Sequence, residues 1–275
     1  MKKNVVFYAN CQGIQIWCVL RLSKIFMEFY EDKLNYITNY HHLYNKTELN
    51  YSLIQQADLF IYQPIDKKHG VYSTDLSVPG NVLSYCKPSC VLISFPYIYQ
   101  SAMWSLIKPA KIDDLSGGYG NYDKYVNREV ILALKKKGLT LKQVLQMWDQ
   151  NSIDFNYQSR YENNLQILRE KEALTDIKVS DFIDRHIHTK FLFLTQNHPT
   201  SPIIVHCVNQ IFKKLKIDDE LELFNLRADF GYEKPQKGWP VSKYDIQFWK
   251  FEYKSQEDSN ATNFYKDIIK NIWNQ

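Results

Sequence analysis

The sequence predicts an α/β fold: a mostly parallel sheet flanked by helices, with a helical insertion and an aromatic-rich C-terminal extension. Three observations carry that prediction. Short apolar runs that end in polar or proline residues alternate with helical stretches across residues 5–98, as in strands joined by crossover helices. Residues 120–188 lack such runs and read as successive helices. A strand-turn-helix unit returns at Lys190, ahead of a tail in which Trp239, Tyr244, Phe248 and Trp249 cluster. The 275 residues are enough to bury one large core, so the reading is a single α/β domain over 1–275. Within it, 120–188 is an insertion or lid and 216–275 an extension packed on the core.

The elements follow in order. Val5, Val6, Phe7 and Tyr8 suit a buried strand, and the apolar residues from Ile14 through Trp17, Leu20, Leu22, Ile25, Phe26 and Phe29 suit one long helix. Between them, Asn10 is a natural helix cap and Gly13 leaves room at the first turn. Leu34 to Tyr40 alternates as a second strand does, Lys46 to Gln56 reads as a short helix, and Asp58 to Tyr62 is a third strand ending at Gln63-Pro64. Cys90 to Phe95 is a fourth, ending at Pro96. Asp66 to Gly80 and Ser116 to Tyr122 read as loops. Lys190 to Thr195 is a further strand, and Ser201 as cap with Pro202 behind it opens a helix reaching Leu215. A last helix lies near Asn263 to Trp273.

The strand ends carry the chemistry. Cys11 stands where a strand turns into a helix, so the helix dipole and unpaired N–H groups are expected to lower its pKa and make it a nucleophile. His198 precedes Pro199, which biases it to an extended conformation at a strand end, where an imidazole can act as general base. Nucleophile and base at two strand ends fit acyl transfer. Asn10, Gln12, Gly13, Gln63 and Asn197 supply amides and N–H groups for an oxyanion site or for positioning substrate. In such a sheet the crevice lies beyond the strand carboxyl ends, which brings Pro96 and Tyr97 to the same rim.

Other patterns are less specific. Cys86 and Cys90 form CxxxC, and His186 and His188 form HxH, without the convergence of a four-ligand site, so no metal is expected. Gly117 to Gly120 is neither a Walker loop nor a dinucleotide fingerprint. Net charge is +4, short of a nucleic-acid footprint. Five cysteines, an odd number without a secretory signal ahead of them, and no apolar run of spanning length point to a cytoplasmic protein with free thiols.

Asn10-Cys11-Gln12 after the first strand, Phe95-Pro96-Tyr97 after an intervening one and Asn197-His198-Pro199 after a later one resemble, from Lys3 to Leu215, the WcbI-type polysaccharide biosynthesis family. The resemblance implies a coenzyme-A-binding acetyltransferase associated with bacterial capsule production, on an SGNH/flavodoxin-like core. Cys11 then falls where an SGNH enzyme carries its serine, and His198 near its histidine. Thr195, Gln196 and Asn197 stand in place of the family's acidic residue, leaving a dyad. Acetyl-CoA is the expected co-substrate and a sugar hydroxyl the acceptor. Arg128, Arg160, Arg169, Arg185 and Lys190 are the basic residues available for the CoA phosphates; no spacing selects among them, and Arg160 and Lys190 are taken as the candidates. The alternatives are an esterase or thioesterase using the same pair, and a non-catalytic nucleotide- or glycan-binding protein.

Overall fold

The computed structural model describes residues 1–108, 126–222, 238–258 and 260–275; the expected loop at Ser116 to Tyr122 lies outside them. In chain order the strands are β1 (Val5–Ala9), β2 (Asn35–Thr38), β3 (Leu59–Tyr62), β4 (Val91–Ser94), β5 (Phe193–Thr195) and β6 (His198–Pro199). The helices are α1 (Cys11–Leu20), α2 (Lys24–Phe29), α3 (Asn39–Asn45), α4 (Tyr51–Gln55), α5 (Glu129–Lys136), α6 (Leu141–Asp149), α7 (Tyr157–Glu172), α8 (Ser180–His186), α9 (Ser201–Leu215), α10 (Lys243–Trp249) and α11 (Ala261–Trp273). Two compact units divide the chain. One comprises Met1–Ile98, Leu168–Ile183 and Pro199–Gln236, the other Tyr99–Ile167, Asp184–His198 and Lys237–Gln275.

The first unit holds a four-stranded, fully parallel sheet in the order β2-β1-β3-β4. β1 lies inside it and is apolar along its whole length, as a strand covered on both faces must be. Edge strand β2 alternates between buried and partly exposed residues, and edge strand β4 exposes Val91 and Leu92. α1 packs on α9, with Ile16, Trp17, Val19 and Leu20 of the one and Ile203, Ile204, Val208 and Ile211 of the other all buried. Each such side chain contributes about 2 kcal/mol through the area it removes from water. After β1 the chain adds β2 on one side and then crosses to add β3 on the other. The strand order therefore reverses between β1 and β3, the kind of position at whose carboxyl ends parallel sheets bind ligands.

The single long helix expected after β1 is two. Asn10 caps α1, its side chain accepting the Gln12 N–H at 3.0 Å, so the helix starts at Cys11. Ser23 then accepts the Phe26 N–H at 3.0 Å and restarts the chain as α2. At α9 the cap position belongs to Thr200, one residue before the expected Ser201.

In the second unit aromatic rings fill the core. Trp148 meets Phe155, Tyr244 and Tyr265 with centroids 4.7–6.0 Å apart. Fully buried Asp245 accepts from the hydroxyls of Ser105, Ser242 and Tyr157 at 2.6–2.9 Å. Burial outweighs these bonds and pushes its pKa up to about 6. Ser242 and Asp245 form the capping box that starts α10, in a stretch where the sequence showed only clustered aromatics.

Candidate active site

Cys11 is the first residue of α1, at the carboxyl end of β1 and beside the reversal of strand order. Two neighbouring chain segments are tied to this turn by side-chain amides. The Asn10 N–H donates to Gln63 Oε1 at 2.9 Å, and Gln63 Nε2 donates to Gln12 Oε1 at 3.1 Å. Gln12 in turn pairs with the backbone of Ile98 on both sides, accepting its N–H at 3.1 Å and donating to its carbonyl at 2.7 Å. Asn10, Gln12 and Gln63 are all buried. The side chains of Gln12 and Gln63 thus hold the ends of β1, β3 and the segment after β4 in register. The N–H groups of Cys11 and Gln12 face the Cys11 sulfur.

The expected activation of Cys11 does not appear in the resting site. Burial pushes its pKa up to about 11, because the lost hydration outweighs the two N–H groups that favour the thiolate. At neutral pH Cys11 is a thiol. Tyr36 lies against it, its hydroxyl donating to the Asn10 carbonyl. Parallel pairing sets Thr38 opposite Ala9, and two residues on, Tyr40 is partly exposed close enough to Cys11 for their charges to interact. Gly13 permits the approach of Tyr36: a Cβ there would lie 3.0 Å from the Tyr36 hydroxyl and 2.8 Å from Ala9 Cβ.

Sequence reasoning missed Tyr36, Tyr40 and Gln15. Gln15, one turn beyond Cys11 and fully buried, donates to the Pro199 carbonyl at 3.1 Å. The available signal was a glutamine in an otherwise apolar helical run, which a buried amide needs a partner to justify.

In the second unit, His198 is buried, and the loss of hydration pulls its pKa down to about 4. Its Nδ1 lies 2.5 Å from Thr195 Oγ1, and that hydroxyl donates to Asn197 Oδ1 at 3.2 Å. A hydroxyl has one proton, so Thr195 accepts from Nδ1–H, and the Nε2 of His198 carries the basic lone pair. The partner of His198 Nδ1 is thus a neutral hydroxyl and not a carboxylate, and Asn197 reaches His198 through it. In the same unit the Gln196 carbonyl accepts the Gln100 N–H at 2.7 Å.

Pro96 is buried, and the Tyr97 ring lies 5.3 Å from the Lys171 ammonium in the first unit. Arg160 is buried and donates through its two terminal nitrogens to the carbonyls of Ser101, Trp104, Ser105, Phe155 and Ile107. Those carbonyls occupy its terminal N–H groups, while its Nε is buried without a partner, so Arg160 is engaged with its own chain. Lys190 is partly exposed, and its charge and that of Arg185 help hold the pKa of His186 down, behind desolvation. Among the described residues, no three His, Cys, Asp or Glu side chains converge to hold a metal ion, and no helix is long and apolar enough to cross a membrane.

The family model for the polysaccharide biosynthesis enzyme WcbI matches residues 4–220. The chain belongs to the WcbI polysaccharide biosynthesis enzyme family. The matched span contains β1 to β6 and α1 to α9, with every residue described around Cys11 and His198; α10 and α11 lie beyond it. A solved WcbI structure, described as that of a novel polysaccharide biosynthesis enzyme, superimposes with a TM-score of 0.70 at 16% identity, covering 100% of this chain and 91% of that one. It is described as the native protein without a disulfide bond between coenzyme A and a cysteine. The WcbI likeness confirms the α/β fold expected from the sequence. No curated protein matches the chain.

Proposed function

We propose that this chain transfers an acyl group, acetyl, from coenzyme A to a sugar hydroxyl of a surface polysaccharide or its precursor. The observation that carries the reading is the Cys11 thiol, held at the first turn of α1 where the strand order reverses. The WcbI description that concerns coenzyme A and a cysteine thiol supports bringing the thiol end of CoA to Cys11 here. Membership of a polysaccharide biosynthesis family supports a sugar acceptor.

In this reading His198 Nε2 takes the proton from the attacking group. With Cys11 a thiol at neutral pH, its attack on the thioester requires that proton to leave as the S–C bond forms. The CoA sulfur departs and is protonated, leaving an acyl-cysteine that the sugar hydroxyl opens. Direct attack by the sugar hydroxyl, with Cys11 lining the site, uses the same base. The N–H groups at the start of α1 face the oxyanion in either route.

The test is acetyl transfer from acetyl-CoA by Cys11→Ala, His198→Ala and the double variant. Each single change is expected to lower kcat/KM about 100-fold or more, and the double variant to lose little further, as for residues that act as a unit. Full activity in both single variants contradicts the assignment. Release of acetate at the same rate with and without a sugar acceptor reassigns the chain as an esterase or thioesterase.

A further inference from the structure

Cys86 and Cys90 lie before β4, at the end opposite Pro96 and Tyr97, and the proposed acyl transfer uses neither. The chain folds them onto each other. A 3₁₀ turn, Val82–Tyr85, ends at Cys86, whose N–H donates to the Leu83 carbonyl at 3.1 Å. Pro88 and Ser89 then form the corner of a turn closed by the Cys90 N–H on the Lys87 carbonyl at 2.9 Å. The two thiols lie close enough to influence each other's ionisation, and the Cys90 thiol donates to the Val91 carbonyl at 3.7 Å. Neither is sealed in the core: both cysteines are partly exposed.

The surroundings distinguish the two sulfurs. The neighbouring Cys86 thiol, then the Lys87 ammonium and the Phe60 N–H, hold the pKa of Cys90 below the usual thiol value against burial and the Asp58 charge. Cys86 is pushed the other way by the same contact and by burial. Lys87 is itself fixed by Asp58 at 2.6 Å, whose second oxygen accepts the Asn4 N–H at 2.8 Å. A partly exposed thiol whose pKa is held down, with a second partly exposed thiol four residues away across a tight turn, is the arrangement of a peroxide-reactive pair.

We propose that Cys86 and Cys90 form a reversible disulfide when a hydroperoxide reaches them, making this turn a redox-modification site separate from Cys11. The Cys90 thiolate attacks a peroxide oxygen and the O–O bond breaks. The leaving oxygen takes a proton and departs as water or an alcohol, and Cys90 becomes a sulfenic acid. The Cys86 sulfur then attacks the Cys90 sulfur; the S–S bond forms as the S–O bond breaks, and hydroxide leaves with the Cys86 proton as water. Two thiols are oxidised and one peroxide is reduced. A small-molecule thiol restores the pair by exchange.

The test uses the full chain, treated with hydrogen peroxide, alkylated and digested with trypsin. Because Lys87 precedes Pro88, both cysteines stay on one peptide. That peptide is expected to be lighter by two hydrogens and closed to alkylation until reduced. Dimedone should label Cys90 in Cys86→Ser about tenfold more than it labels Cys86 in Cys90→Ser, with thermal melts confirming that both variants fold. Full alkylation of both residues after peroxide, a disulfide from either to another cysteine, or equal dimedone labelling overturns the proposal.

Discussion

Gly13 sits inside α1, where alanine is the better helix former by about 1 kcal/mol. The close approach of Ala9 and Tyr36 reverses that preference, because an added methyl must displace a side chain anchored on β1 and the Tyr36 hydroxyl on the Asn10 carbonyl. Gly13→Ala is therefore expected to destabilise by about 1–2 kcal/mol in denaturant unfolding. His198 gives a pH signature. Its folded pKa of about 4 lies below the ordinary 6.5, so between these values the unfolded chain binds the proton and the folded one does not. Stability is complete above pH 6.5 and declines as pH falls to 4, by about 3 kcal/mol. A His198→Asn variant should lose that part of the slope. The placement of Cys11 and His198 was legible because cap, glycine and proline preferences act within a few residues. Their pKa values were not: burial by distant segments decides them, and it raised the thiol that a helix terminus alone would have lowered.

At the scale of elements, the strands of the parallel sheet were legible from short apolar runs, because β1 and β3 are covered on both faces. Helix boundaries were less so. Ser23 divides what reads as one apolar helix, since a hydroxyl that captures its own N3 N–H ends the periodicity without a Gly or Pro to announce it. α10 was hidden among aromatics although Ser242-Lys243-Tyr244-Asp245 spells a capping box. Arg160 of α7 shows the limit of reading charge from sequence. The carbonyls of Ser101, Trp104, Ser105 and Ile107 lie in a turn-rich segment, and a guanidinium with several donors in one plane serves them together. Arg160→Lys keeps the charge but not the fork, and should lower stability by about 2–4 kcal/mol in chemical denaturation.

At the scale of the whole molecule, the sequence shows no linker because each compact unit draws on three separate stretches, and α7 and α8 contribute residues to both. Composition shifts reveal domains that follow one another, not interleaved ones. What the order of elements does convey is the reversal between β1 and β3, and this places the Cys11 turn where parallel sheets bind ligands. If His198 is the proton acceptor, kcat/KM for acetyl transfer is level from about pH 5 to 8, its imidazole being neutral throughout. A rate that climbs steadily towards pH 11 would instead report the free Cys11 thiolate. The central claim, that Cys11 lies where coenzyme A presents its thioester, is tested most directly by native mass spectrometry of the purified chain with acetyl-CoA. One bound coenzyme A per chain is predicted, weakened when the Cys11 thiol is selectively alkylated. No complex up to millimolar ligand, or binding indifferent to the alkylation, would contradict it.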